Sequence, residues 1–201
     1  MKERRPMWNR RRFHAGLAGL LLLPAAPGAR ATAVKGGAQV SRPQIAPLPP
    51  VPLTTMGGES RSLERELAND VPLVLNFVFT TCSTSCSLQT AVLAQLQRDW
   101  LARGRHLQLA SITIDPDNDT PEQLRRFAAG FRTGPGWQFY TGRFDDLLRI
   151  QKHFDVYRGS KASHPPVLLL RRDARAPWMR VEGFPQAVEI AALLEALPAA
   201  G

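Results

Sequence analysis

The sequence predicts an α/β domain: a central mixed β-sheet flanked by helices, with a β-hairpin at its N-terminal edge. Three observations carry this prediction. Two runs, 73–79 and 107–115, are almost continuously apolar, β-branched or aromatic, as strands buried on both faces are. Each is followed by a segment that starts or spaces its residues as a helix does. A third run, 166–171, is followed closely by the strand-like 178–184, so a hairpin ends the alternation and mixes the strand directions.

Residues 1–31 read as an address rather than as part of that fold. Arg10, Arg11, Arg12 and Phe13 form a twin-arginine pattern, an apolar run covers 15–26, and Ala29, Arg30 and Ala31 offer a small-x-small cleavage site. This is the order of an export signal, here of twin-arginine type, with cleavage expected after Ala31. The apolar run is well short of the roughly 20 residues that span a bilayer. A periplasmic location is therefore expected, with inner-membrane association only if the signal is retained.

The chain carries a net charge of +9, but residues 1–31 hold seven of its 26 Lys/Arg and one of its 17 Asp/Glu, which leaves +3 on the rest. No Lys/Arg block interleaved with aromatics remains, so nothing points to a nucleic-acid partner. Residues 32–50 are rich in Ala, Gly and Pro without apolar periodicity and read as a flexible leader. Residues 51–201 are enough for one domain with its own core.

Within that domain, 51–54 and 60–63 flank Met56, Gly57, Gly58 and Glu59 as a small hairpin. After the strand 73–79, Leu88, Val92, Leu93, Leu96 and Trp100 recur at helical spacing, with a start near Cys82 and a stop at Gly104. The strand 107–115 leads to a helix whose start is well marked. Thr120 suits the N-cap, Pro121 the first helical position, and Gln123 can close a capping box. A short strand at 137–140 and a helix at 144–154, with Leu147, Leu148 and Ile150 inward, precede the strand 166–171. Its partner 178–184 and a helix at 187–197 close the chain, and there are no internal repeats.

Cys82 and Cys86 are the only cysteines, four residues apart just beyond a buried strand. In an exported protein two cysteines often form a structural disulfide. A bridge closing so short a loop removes little unfolded-chain entropy, however, and a domain of this size has little need of it. Near a helix start, residues i and i+4 share a face, and free N–H groups with the helix dipole favour thiolate there. Such a pair can cycle between dithiol and disulfide or chelate a soft metal. Two thiolates make half of a tetrahedral site, so a further ligand must come from elsewhere.

His106 lies at a strand entry and His153 in an amphipathic helix, where surface or satisfied-core roles fit best. His164 differs, because it joins the polar loop 159–163 to the strand 166–171, and loops at strand ends are where α/β sites assemble. Asp115, Asp117 and Asp119 fall at calcium-loop spacing, but Thr120 stands where that loop needs Gly and Arg126 where it needs Glu. Asp115, at a strand terminus on the cysteines' side of the sheet, is a candidate for the shell around the ligands.

Phe77 to Cys86, Ser111 to Pro121, Tyr140-Thr141-Gly142 and Ser163-His164 before a strand occur in an order that resembles the Sco/SenC family, over nearly all of residues 51–197. The resemblance implies a thioredoxin-like fold and a copper site made of Cys82, Cys86 and His164. It also implies a metallochaperone that delivers copper to, or reduces thiols at, the binuclear copper site of a haem-copper oxidase subunit. Two thiolates and an imidazole suit Cu(I), and hold Cu(II) if water or carboxylate completes the plane. Two departures stand out: family members commonly have proline after each cysteine, where this chain has Ser83 and Ser87, and many are membrane-anchored. The alternative is a periplasmic thiol-disulfide oxidoreductase working without copper and recharged by a thiol reductant, with Cys82 as nucleophile and Cys86 resolving. Pro165 and Pro166 stand where thioredoxin-like folds often place a cis proline, so one cis bond is expected there.

Overall fold

The computed structural model describes residues 37–198 together with the backbone of Thr32–Ala33, so the expected export signal lies outside the described residues. Among the described residues no helix is long and apolar enough to cross a membrane. The strands are β1 (Thr32–Ala33), β2 (Gln39–Ser41), β3 (Pro52–Thr55), β4 (Ser60–Ser62), β5 (Leu73–Val78), β6 (Gln108–Thr113), β7 (Trp137–Thr141), β8 (Val167–Arg171) and β9 (Met179–Glu182). The helices are α1 (Leu63–Glu66), α2 (Ser85–Ala102), α3 (Pro121–Gly130), α4 (Phe144–His153) and α5 (Ala187–Ala196).

These strands form one sheet in the order β1-β2-β9-β8-β5-β6-β7-β3-β4. β5, β6 and β7 run parallel, which their helical connections α2 and α3 require. β8 pairs antiparallel with β5, and β9 antiparallel with β8, so the sheet is mixed as expected. Every residue of β5 is buried, because side chains alternate between two cores. Val74 and Val78 pack with Leu93, Leu96 and Trp100 of α2 and Ile190 and Leu194 of α5. Leu73, Leu75 and Phe77 pack on the opposite face with Leu147 and Ile150 of α4 and Leu63 of α1.

One position in β5 is polar. Asn76 accepts the Ser111 hydroxyl at 2.7 Å and donates to Gln89 Oε1 at 3.0 Å, while Trp137 Nε1 donates to Ser111 Oγ at 2.9 Å. This buried chain ties β7, β6 and β5 to α2 at a residue three beyond Cys86.

Three expectations differ from the structure. Residues 32–50, expected as a leader, contribute β1 and β2, and β2 extends the sheet along β9 with Val40 opposite Val181. Backbone pairing needs no apolar alternation, only a free edge, and Gly183 allows the close approach: at φ +103 a Cβ there would stand 3.3 Å from Ala38 Cα. α2 begins at Ser85 rather than near Cys82, so Cys82 lies in the turn before the helix. Among the described residues no peptide bond is cis. His164, at φ −65 and ψ 121, has the extended backbone that a following proline favours, and this carries Pro165 and Pro166 into β8 in the trans form.

Candidate metal and thiol site

The chain turns immediately after β5. Thr80 donates its N–H at 3.1 Å and its hydroxyl at 2.5 Å to the Asp119 carboxylate, and the Cys82 N–H donates to Phe79 O at 3.1 Å. Thr84 occupies the N-cap of α2 without using its hydroxyl as a cap. The Cys82 sulfur serves instead, accepting the Cys86 N–H at 3.4 Å. One of the helix's unpaired N–H groups is thereby satisfied by sulfur. The Ser85 hydroxyl lies 3.4 Å from the same sulfur and the Thr84 hydroxyl 3.9 Å. Ser87, at one of the two departures noted above, donates to Cys82 O at 2.9 Å and locks the turn onto the helix.

These contacts separate the two thiols chemically. Burial pushes Cys82 up, but the Ser85 hydroxyl and the backbone N–H groups of Cys86 and Thr84 outweigh it and bring the thiol down to about 6. Burial pushes Cys86 up to about 12, and the hydrogen bond with Cys82 and its negative charge add to this, against the Phe79 N–H. Near neutral pH the pair is one thiolate and one thiol. Both are buried and free, with Cys82 8% exposed and Cys86 3%.

His164 comes from the other side of β5. The last registered pair between β5 and β8 is Asn76 with Leu168, and continuing that register four residues sets His164 opposite Thr80, beside the thiol turn. Its Nε2 lies 3.3 Å from Phe77 O, and its ring stands edge-on to Phe77 with centroids 6.3 Å apart. Burial holds the imidazole below its usual range, despite the Phe77 and Val156 carbonyls, so it is neutral near neutral pH, the form that can bind a metal. It lines a cleft of about 190 Å³ together with Asp115, Phe144, Tyr157 and Lys161. The structure thus brings Cys82, Cys86 and His164 to one end of the sheet. Among the described residues, though, no three Cys, His, Asp or Glu side chains stand close enough to share an ion.

Asp115 is 8% exposed at the end of β6, where its carboxylate accepts Asn118 Nδ2 at 3.0 Å and pairs with Lys161 Nζ at 2.5 Å. It therefore touches the histidine loop. His106 is exposed. His153 is half-buried, and burial holds its imidazole below the usual range, while its Nε2 is buried without a hydrogen-bond partner.

Thr80, Ser85 and Lys161 were not singled out in the sequence, and Ser87 was noted only as a departure from the family pattern. The density of hydroxyls around the cysteines was the available signal for Ser85 and Ser87. Asp119 drew notice only as a failed calcium position, and its partner Thr80 is 39 residues away.

A family model described as SCO1/SenC matches residues 53–168. The SCO1 protein homolog of Bacillus subtilis (strain 168) is 35% identical over 108 residues, 53% of this chain and 55% of that protein, so the chain spans about half the length of this curated relative. A SCO1/SenC family lipoprotein from Bacillus anthracis str. Ames superposes with a TM-score of 0.62 at 24% identity, covering 73% of this chain and 91% of that one. ScoI of Arabidopsis thaliana, solved with copper bound, superposes at 0.63 and 19% identity, covering 75% of this chain and 97% of that one. The two superpositions are likenesses of fold, and they agree with the thioredoxin-like α/β architecture expected from the sequence.

Proposed function

The chain belongs to the SCO1/SenC family, and from that premise we propose that it is an exported copper carrier whose cargo is held by Cys82, Cys86 and His164 and passed to a copper-receiving oxidase subunit. The observation that carries this reading is the pairing of a low-pKa thiolate with a second thiol at one helix start, with a neutral imidazole at the same end of the sheet. Two sulfurs and one imidazole are a soft donor set suited to Cu(I). The histidine arrives on a separate loop and rests against Phe77 O. Loading brings that imidazole onto the sulfur-bound ion, and its withdrawal lowers affinity so that the receiving protein's thiolates can take the cargo.

A second reading is favoured by the split between the thiols. Cys82 thiolate attacks one sulfur of a client disulfide, the client S–S bond breaks, and the departing client thiolate takes a proton from water. In the mixed disulfide Cys82 no longer carries charge, so two of the causes that raise Cys86 are gone. Cys86 then loses its proton and attacks Cys82 Sγ, releasing the second client thiol. The client gains two electrons and the protein ends as the Cys82–Cys86 disulfide, which an external dithiol must reduce.

Anaerobic titration of the reduced protein with Cu(I) against a competing chelator, alongside His164→Ala, separates the readings. One bound copper, weakened at least about tenfold in the variant as loss of one of three ligands predicts, supports the carrier. Wild-type protein that cannot compete for copper leaves the reductant.

A further inference from the structure

Three segments meet at the C-terminal ends of β5 and β6: the thiol turn 79–84, the segment 114–120 after β6, and the histidine loop 159–166. The middle segment grips each of the others through a different carboxylate. Asp119 is fully buried, and its oxygens accept the Thr80 N–H at 3.1 Å, the Thr80 hydroxyl at 2.5 Å and the Thr113 hydroxyl. Asp115 reaches the opposite way, to Lys161 Nζ at 2.5 Å. That ammonium also lies 5.8 Å from the centre of the Phe79 ring, at the entrance to the thiol turn. The segment itself is stiffened by the Asp119 N–H donating to Asp115 O at 2.9 Å and by the Asp115 N–H donating to Thr113 Oγ1 at 2.9 Å.

Lys161 is coupled to His164 by a single turn of 3-10 helix, Lys161–Ser163, closed by the His164 N–H on Lys161 O at 3.2 Å. Moving Lys161 therefore moves the imidazole. The two grips differ in kind. The Asp119 carboxylate is sealed from water and satisfied by several donors, so breaking it strands a buried charge. The Asp115–Lys161 pair has a half-exposed lysine side chain, 45% accessible, and such pairs are weak and screened by salt.

We propose that the segment 114–120 is a two-armed brace: Asp119 fixes the thiol turn through Thr80, while Lys161, paired with Asp115, holds the histidine loop releasably. Asp119 is then a positioning residue for Cys82, and Lys161 a positioning residue for His164. What the brace serves rests on the copper reading, but its existence is tested without copper.

The experiment is hydrogen exchange on the reduced, metal-free protein, with the rate of Cys82 alkylation at one fixed pH as a second readout. Lys161→Met speeds amide exchange in 159–164 by roughly two- to fivefold, the range an exposed ion pair supports, and leaves 80–84, beyond the Phe79 ring that the ammonium faces, and the alkylation rate unchanged. Raising salt does the same to the wild type and nothing more to the variant, and Lys161→Arg restores the wild-type rate. Asp119→Asn, or Thr80→Val should that variant not fold, speeds exchange in 79–84 and alters Cys82 alkylation by roughly threefold or more, as loss of a charge-assisted hydrogen bond predicts. Unchanged exchange at 159–164 in Lys161→Met, or both loops responding alike to both variants, overturns the brace. A wild type that binds no Cu(I) overturns the copper reading, while the exchange pattern still decides the brace.

Discussion

At the scale of single residues, the site depends on two identical side chains being made unlike. Cys82 and Cys86 are four apart, yet the first collects hydroxyl and N–H donors while burial dominates the second. The consequence is a pH dependence with a definite sign. The Cys82 thiol titrates near 6 in the folded protein against an ordinary 9.0. Its ionisation therefore stabilises the fold fully above pH 9, and the contribution is lost as pH falls through 6. Urea unfolding of the reduced, metal-free protein and of Cys82→Ser should show the wild type gaining relative to the variant between pH 5 and pH 8. A difference that does not change with pH would remove the thiolate from the account. Removing the largest of the downward influences, in Ser85→Ala, should shift the midpoint of Cys82 alkylation upward.

At the scale of elements, β5 and α2 form the platform on which the thiols stand. The helix does not reach Cys82, and one of its first free N–H groups, that of Cys86, is left to sulfur rather than to a hydroxyl cap. Its orientation is set by apolar packing on Trp100 and Leu96 and by the buried Asn76–Gln89 hydrogen bond. Asn76→Ala should cost about 2–4 kcal/mol in chemical denaturation, because it leaves Gln89 Oε1 without its donor and the Ser111 hydroxyl without its acceptor in the interior. The cost of Thr120→Ala should be about 1 kcal/mol, since its hydroxyl accepts only the Gln123 N–H of α3, at 3.3 Å on the surface.

At the scale of the whole molecule, the site occupies one end of the parallel strands, while the added strands β2 and β1 lie along the far edge beyond β9. Deleting residues 1–41 should uncover that edge and cost about 1–2 kcal/mol through lost burial of Ala38 and Val40. The rate of Cys82 alkylation should not change, because none of the groups around its sulfur comes from that edge. An altered rate would show coupling across the sheet.

The sequence by itself determined strands β3 to β9 and helices α2 to α5, because each rests on a local signal, and it offered Cys82, Cys86 and His164 as candidate ligands. Continuous apolar runs mark buried strands, the Thr120-Pro121 pair marks a helix start, and two lone cysteines beyond a strand mark a reactive pair. Only the tertiary structure decided where the imidazole rests and what holds the two loops in place. Those outcomes depend on contacts such as Thr80 with Asp119, 39 residues apart, and Asp115 with Lys161, 46 apart. Burial and hydrogen-bond geometry at such separations are created by folding, and no local pattern of residues encodes them.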